Sequence, residues 1–460
     1  MTVQMETGAL RSHFNGRVLL PDEADYDQAR AVFNAMVDKR PAVIAQCADV
    51  ADVASALAFA RAQELPIAVR SGGHGVAGTG LVDDGVVIDM RNINGVSVDP
   101  NARVARVGGG ATWGDVDRAS AVYGLATTGG RVSTTGVAGL TLGGGSGWLE
   151  RKFGLACDNL LSVELVTADG RVVTTSEHEN PELFWALHGG GGNFGVATSF
   201  TFRLHPLPAM TLALLLWEPD RGPELLRRYR DFLENASDEV GGGALYFTGP
   251  PEEFVPEHLR GRLALVIAVT YAGGEAAARA AIEPLLELAP AGEMIAEMPY
   301  PELQSALDDP PGYRNYWSVE YLEELPDAAI DLFCARAHDM IVPSPSQHAL
   351  LPWGGAVARG GAGSALADRH ARWAVHPLGL WEDPADDERG KAWARGVCAA
   401  VRPYATGGVY LNFTGDEGAD RLVAGFGRQN YERLAKVKTE WDPDNIFRLN
   451  HNIKPFARAL

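Results

Sequence analysis

The stretch from Gly129 to Gly147, GGRVSTTGVAGLTLGGGSG, constrains this chain more than any other segment. Backbone so poor in side chains does not hold an ordinary helix, because glycine loses the most conformational freedom on ordering. It is suited instead to passing within van der Waals distance of a flat or charged ligand. A flexible linker would be polar throughout, whereas Val137, Leu140, Leu142 and Trp148 ask for burial. A second run, Arg70-Ser71-Gly72-Gly73-His74-Gly75-Val76-Ala77-Gly78-Thr79-Gly80, follows the expected strand IAVR (67–70). Its consecutive N–H groups suit an anion such as a pyrophosphate. Gly73, Gly75 and Gly78 spell GxGxxG, but a turn and a strand follow where a dinucleotide fingerprint needs a helix, so the literal match misleads.

A chain of 460 residues has room for two or three domains, and 46% hydrophobic with 22% charged residues is the balance of a folded protein. The 53 glycines follow no Gly-X-Y period and gather in the short runs above. A net charge of −19 excludes a nucleic-acid partner, which needs clustered Lys and Arg. Cys47, Cys157, Cys334 and Cys398 are too scattered for a disulfide framework, and no CxxC pair points to a metal. No apolar stretch reaches the roughly 18 residues of a membrane span. The N-terminal MTVQMETGALRSHFNGRV does not read as a leader, so the expectation is an unanchored cytoplasmic protein.

Along the chain, Asp25 is placed to cap a helix over 26–37, PAVIAQC (41–47) reads as a strand, and Asp49 caps a helix carrying Val50, Val53, Leu57 and Ala60. The strand VVIDM (86–90), a strand ending at Gly108 and a helix capped by Thr112 come next. Asp169-Gly170 marks a hairpin within 163–176, and Asn180-Pro181 opens a short helix. Alternation of Val196, Thr198, Phe200, Phe202 and Leu204 gives a strand, and His205-Pro-Leu-Pro208 a boundary. Beyond 209, ALLLW and RLALVIAVTYA alternate with helical PELLRRYRDFLENA and GEAAARAAIEPLLELA, a second α+β unit. Its aromatics include Tyr246, Tyr300, Tyr316, Trp317, Tyr321 and Trp353, most of them for packing and a few to line a pocket. GVYLNF (408–413) reads as a strand, followed by a helix over 429–441 and the turn Asp442–Asn445.

Taken alone, His74 is either a hydrogen-bonding loop residue or a ligand, and Cys157, in FGLACDNL, either a buried thiol or a ligand. PAVIAQCADVADV, VRSGGHG, TGVAGLTLGGGSGWLERKFGLACDN, LVTADGRVV, ELFWALHGGGGNFG, and YLNF through NYERLAKVKTEWDPDNIFRLNHNIKP occur in this order over nearly the whole chain. Together they resemble the berberine bridge enzyme-like FAD-linked oxidases of the vanillyl-alcohol oxidase superfamily. The resemblance implies an α+β fold: a discontinuous PCMH-type FAD-binding domain (1–208, with 406–460 returning to it) and a substrate domain on an antiparallel sheet (209–405). It implies FAD bound covalently through both His74 and Cys157. Arg70, Ser71, Gly72, Gly73, Gly75 and Thr79 would hold the pyrophosphate, Gly130, Thr135, Gly136 and Gly139 the diphosphate and ring, and Asn412, Asn450 and Asn452 the flavin's surroundings. His188, in WALHGG, stands where relatives usually carry arginine, and a lost ion pair there would loosen the loop 189–195.

The activity so implied is removal of hydride from an alcohol, sugar hemiacetal or secondary metabolite, with O₂ reduced to hydrogen peroxide. A dehydrogenase using another acceptor and a catalytically decayed flavin-binding protein are the alternatives. Such an oxidation needs a base for the O–H or N–H proton. Tyr410 is the candidate, alternating with Asn412 along the expected strand. For a second acid/base residue WGGAVARG (353–360) offers only Arg359.

Overall fold

The computed structural model describes residues 7–457 except 361, 362 and 416; the first six residues of the segment read above as lacking a leader lie outside it. The chain begins with a four-stranded sheet ordered Arg17–Leu19, Val43–Gln46, Val86–Asp89, Ile67–Arg70. The last three strands run parallel, as a β-α-β crossover through helix Val50–Ala62 requires. That helix starts where expected, the Asp49 carboxylate accepting from the Asp52 N–H. The helix expected over 26–37 stops at Arg30. Asp25 makes no side-chain cap, and the chain leaves the helix so that Phe33 N–H can donate to Gly73 O (3.2 Å) and Ala35 N–H to Tyr313 O (2.9 Å).

A five-stranded antiparallel sheet follows, ordered Val96–Asp99, Val104–Gly108, Val196–Arg203, Leu160–Val166, Val172–Ser176. Phe200 and Phe202 of its central strand are fully buried, and the helix Trp113–Ala121 is held at its start by a reciprocal Thr112–Asp115 capping box. Between these sheets the glycine-dense run departs from expectation in one part. Residues Val137–Leu142 form a short helix, because only Gly139 interrupts them and Val137 and Leu142 are buried. The run breaks after that, at Gly144 and Gly145 with φ of 118° and 94°.

The second unit is an eight-stranded antiparallel sheet, ordered Gly292–Met298, Met210–Trp217, Leu263–Tyr271, Val240–Thr248, Gln347–Pro352, Trp373–Trp381, Arg314–Trp317, with Glu320–Leu322 beside Trp373–Trp381. Its outer face, including Leu215, Trp217, Tyr246, Ile267, Leu350 and Val375, packs against helices Gly222–Asn235, Asp327–Ala337 and Asp387–Val401. Its inner face looks back at the glycine runs. The tail returns to the first unit: helix Arg428–Trp441 and the turn after it reach the Gly189–Gly195 loop, where Lys438 Nζ donates to Asn193 O (2.7 Å) and Asn193 Nδ2 to His451 O (3.1 Å). Within the tail, 408–413 is not a strand; Leu411–Phe413 is a 3₁₀ turn. All four cysteines are free and buried, and among the described residues no helix is long and apolar enough to cross a membrane.

Candidate active site

One cavity of about 770 Å³ lies between the two units. Its first half is walled by Arg70–Gly80, by Arg131, Val132, Thr135, Gly136 and Gly139 of the second run, and by Gly189–Asn193. The two glycine runs touch backbone to backbone: a Cβ on Gly72 would lie 2.3 Å from Gly136 N, and one on Gly136 2.2 Å from Gly72 N. At Gly139 and Gly192, by contrast, a Cβ would meet no atom of the described residues within 4 Å, so backbone is bared to the cavity. Ser71 Oγ pins this loop by donating to Gly109 O (2.8 Å). Five cavity-lining residues carry buried polar atoms with no partner among the described residues: Arg70 Nε, Arg131 Nε and Nη1 and Asn450 Oδ1 around the glycine runs, and Trp317 Nε1 and His376 Nε2 on the sheet side. Unmet donors of positive charge over bare backbone suit a bulky anionic ligand with a polar ring.

His74 stands at the seam between the halves. It stacks on Phe33 (4.2 Å between centroids), with Nε2 2.9 Å from Thr134 Oγ1 and Nδ1 3.4 Å from Thr135 Oγ1. Burial lowers its pKa to about 4, so at neutral pH the imidazole is uncharged and one nitrogen keeps its lone pair.

The second half of the cavity is the inner face of the large sheet, closed by Trp317, Phe413 and the loop carrying Asp308 and Asp309. Asp308 accepts from Ser133 N–H (2.6 Å) and Ser133 Oγ, tying this loop to the second glycine run. Asp309 accepts from Gln347 Nε2 (2.6 Å); burial, and then the Asp308 charge, push its carboxyl up to about 7. A carboxyl poised near neutrality on a cavity wall is able to accept a proton.

The chain's other expected residues divide between front and back of this wall. Arg70, Ser71, Gly72, Gly73, His74, Gly75, Thr79, Thr135, Gly136, Gly139, Asn412 and Asn450 line the cavity. Asn452 lines a smaller adjoining pocket, together with Thr79 and Asn450. Gly130 does not line it; its carbonyl accepts from Gln304 Nε2 (2.7 Å). Nor does Cys157, which is fully buried behind Gly144, its N–H donating to Gly144 O (2.8 Å) and its thiol 3.8 Å from Asp158 Oδ1. Burial, and then the neighbouring Asp158 carboxylate, push that thiol well up. Asp158 is itself paired with buried Arg369 at 2.5 Å.

Tyr410 likewise faces the rear of the run. Its hydroxyl oxygen accepts from the N–H groups of Gly145 (2.7 Å) and Ser146 (2.9 Å) and from Asn412 Nδ2 (2.9 Å), and burial pushes its pKa up. Arg359 is exposed, paired with Asp238, and off the cavity. The loop after His188 is not loosened: Gly189 and Gly191 both donate to Leu142 O (3.0 and 2.9 Å), while His188 Nδ1 bonds Phe184 O (2.7 Å). Of the six aromatics singled out in the sequence, only Trp317 lines the cavity. Arg131, Asp309, Gln347 and His376 went unmarked; an arginine set between two glycine clusters was the one available signal among them.

Residues 41–176 match the model of an FAD binding domain, and 409–454 that of a berberine and berberine-like segment. The (R)-6-hydroxynicotine oxidase of Paenarthrobacter nicotinovorans is 32% identical over 461 residues, covering 96% of this chain and 97% of that protein. The chain belongs to the berberine bridge enzyme-like FAD-linked oxidoreductases. Its fold is accordingly the PCMH-type FAD-binding fold with a large antiparallel sheet, and both glycine runs lie within the matched FAD binding domain. The crystal structure of 6-hydroxy-D-nicotine oxidase from Arthrobacter nicotinovorans superposes with a TM-score of 0.86 at 30% identity, covering 96% of this chain and 98% of that one. A xylooligosaccharide oxidase from Myceliophthora thermophila C1, solved with xylobiose, shares the fold (TM-score 0.84, 24% identity, 98% and 99% covered). Proteins that share this fold thus bear names for very different molecules, so the fold does not name the substrate.

Proposed function

We propose that this chain is an oxidase that removes two electrons and two protons from an H–C–X–H unit of a small molecule, X being oxygen or nitrogen. The products are C=X and hydrogen peroxide formed from O₂. The observation that carries this reading is the continuity of the cavity, which joins a cradle of bare backbone and unmet cationic donors to a closed sheet face through a single neutral imidazole. FAD supplies the hydride acceptor when bound. Arg70 would face its pyrophosphate; Arg131, whose charge is met by Glu150 at 2.6 Å, would offer its free N–H groups; the 72–75 and 189–192 backbones would let the cofactor approach, and Asn412 and Asn450 would close over it. Asp309, on the substrate side, would take the X–H proton.

We further propose one covalent attachment, at His74, rather than the double one that the sequence suggested. A neutral nitrogen lone pair at the cavity wall supports His74; a thiol held protonated by burial, behind Gly144, does not support Cys157. The test is to precipitate purified protein with acid and inspect the pellet by absorbance and intact mass. Wild type and Cys157→Ala should keep flavin in the pellet, and His74→Ala should lose it to the supernatant. Flavin retained by denatured His74→Ala would refute the single attachment. For the acceptor, enzyme reduced anaerobically should reoxidise within seconds of mixing with air; persistence of the reduced spectrum would favour the dehydrogenase.

A further inference from the structure

The inner face of the large sheet reads as rows of side chains across paired strands. One row runs Leu216, Val266, Leu245, Ala349, His376 through successive register pairs. The next runs Phe247, Gln347, Leu378, Trp317, and on the other side Leu214 and Ala268 precede Gly243 and Leu351. All line the cavity. Only Gln347 and His376 among them carry polar side chains other than the Trp317 indole, and Gln347 is engaged by Asp309.

His376 is different. It is 2% exposed, and its Nδ1 bonds the Ser318 carbonyl at 2.8 Å, which fixes the proton on that nitrogen. Nε2 is therefore a bare acceptor, with no partner among the described residues. Phe413 stacks on the ring at 4.1 Å and 8°, and Trp317 meets it edge-on at 5.9 Å and 85°. The same Trp317 abuts Phe33, on which His74 stacks, so one line of rings joins the attachment histidine to His376. A buried acceptor left unmet is costly, and natural cores meet such groups with protein, water or ligand.

Resting on the flavoenzyme reading above, we propose that His376 Nε2 accepts a hydrogen bond from the O–H or N–H of the substrate, and that this substrate is a lipophilic, aryl-bearing alcohol or amine rather than a sugar. Aliphatic and aromatic walls reward removal of an apolar body from water. The cavity's other polar side chains are mostly engaged within the protein, Thr248 with Ser344 O, Ser344 with Ile341 O, Ser346 with Leu380 O and Asp308 with Ser133, so the many hydroxyls of a saccharide would find few free partners. Burial holds the His376 imidazole neutral down to about pH 3, so Nε2 positions the X–H group in the bound ground state, and that hydrogen bond is exchanged for one to Asp309 when the proton leaves.

The experiment uses flavin-loaded enzyme under anaerobic conditions, titrated with benzyl alcohol, benzylamine, naphthylmethanol, benzyl methyl ether, glucose, xylose and cellobiose. Spectral perturbation of the flavin reports binding and bleaching reports turnover. At least one aryl alcohol or amine should perturb and bleach it, the sugars should do neither, and the alcohol should bind about tenfold more tightly than its methyl ether. In His376→Phe, which keeps the stack on Phe413, that preference should vanish. In His376→Gln, which restores an acceptor, it should return in part. Bleaching by a sugar, no perturbation by any aryl compound, or an undiminished alcohol-to-ether ratio in His376→Phe would each overturn the proposal. A preparation that takes up no flavin would instead overturn the reading on which it rests.

Discussion

Lys438 and Asp442 form an ion pair with no solvent exposure on either side chain. The ammonium donates to Asp442 Oδ2 (2.7 Å), Asn193 O (2.7 Å) and Phe447 O (2.9 Å), and the carboxylate also accepts from the N–H groups of Ile446 (2.8 Å) and Phe447 (2.9 Å). Three segments thus meet on one nitrogen: the helix Arg428–Trp441, the turn before Asn450, and the loop Gly189–Gly195 on the cavity wall. Burial lowers the lysine pKa and the carboxylate opposes that shift, which is the balance of a desolvated charge kept only by its partners. Lys438→Met keeps the stem and removes the charge. It strands a buried carboxylate and two carbonyls, at a cost of about 3–5 kcal/mol, a large fraction of ordinary folding stability.

The assay is urea unfolding followed by tryptophan and flavin fluorescence on Lys438→Met, Asp442→Asn and the double variant. Each single variant should unfold at clearly lower urea with earlier release or quenching change of the flavin, and the double variant should be less damaged than the sum of the two. A loss below about 1 kcal/mol in Lys438→Met, the size of a surface pair, or strict additivity in the double variant, would refute the claim that this pair clamps the tail to the cavity.

Asp309→Asn should abolish the acid limb of the kcat/KM profile. In wild type the rate should fall as pH drops below about 7, where the carboxylate takes its proton, and a limb unchanged in the variant would exclude Asp309 as the base. Tyr410→Phe removes the acceptor for Gly145 N–H, Ser146 N–H and Asn412 Nδ2. It should cost about 1–3 kcal/mol in thermal or urea unfolding, and full stability with lost turnover would instead return Tyr410 to the catalytic role. Thr112→Ala breaks a capping box and should cost about 1 kcal/mol without changing turnover, measured by the same unfolding curves.

Local physics was legible in the sequence wherever a single element decided the outcome. Asp49 and Thr112 cap as their side chains dictate, the 196–204 alternation becomes a strand with its phenylalanines inward, and the glycine loop after IAVR becomes a cavity wall. Where tertiary contacts compete, local reading failed. The stretch after Arg30 gives up helix to bond Gly73 and Tyr313, and Tyr-Leu-Asn-Phe turns instead of extending because Asn412 Nδ2 reaches back to the Tyr410 hydroxyl and across to Leu140 O. The inner sheet face was hidden for another reason. All nine residues of Trp373–Trp381 are buried, one side under helices and the other around the cavity, so no polar alternation marks which side His376 joins.

The same limit hides which side of the glycine run two motif residues, Cys157 and Tyr410, face. The run Gly143–Gly147 is a partition one backbone thick: Gly143 and Ser146 face the cavity, while the Gly144 carbonyl and the Gly145 N–H face away, toward Cys157 and Tyr410. Nearness along the chain to a ligand-binding glycine places a side chain close to that partition without saying which face it joins. Only the contacts made at long range do so, Arg369 drawing Asp158 and hence Cys157 rearward, and the tail carrying the Tyr410 hydroxyl in behind Ser146. The two histidines proposed above to act, His74 and His376, both belong to residues in front of the partition, whereas the Cys157 thiol and the Tyr410 phenol pack behind it.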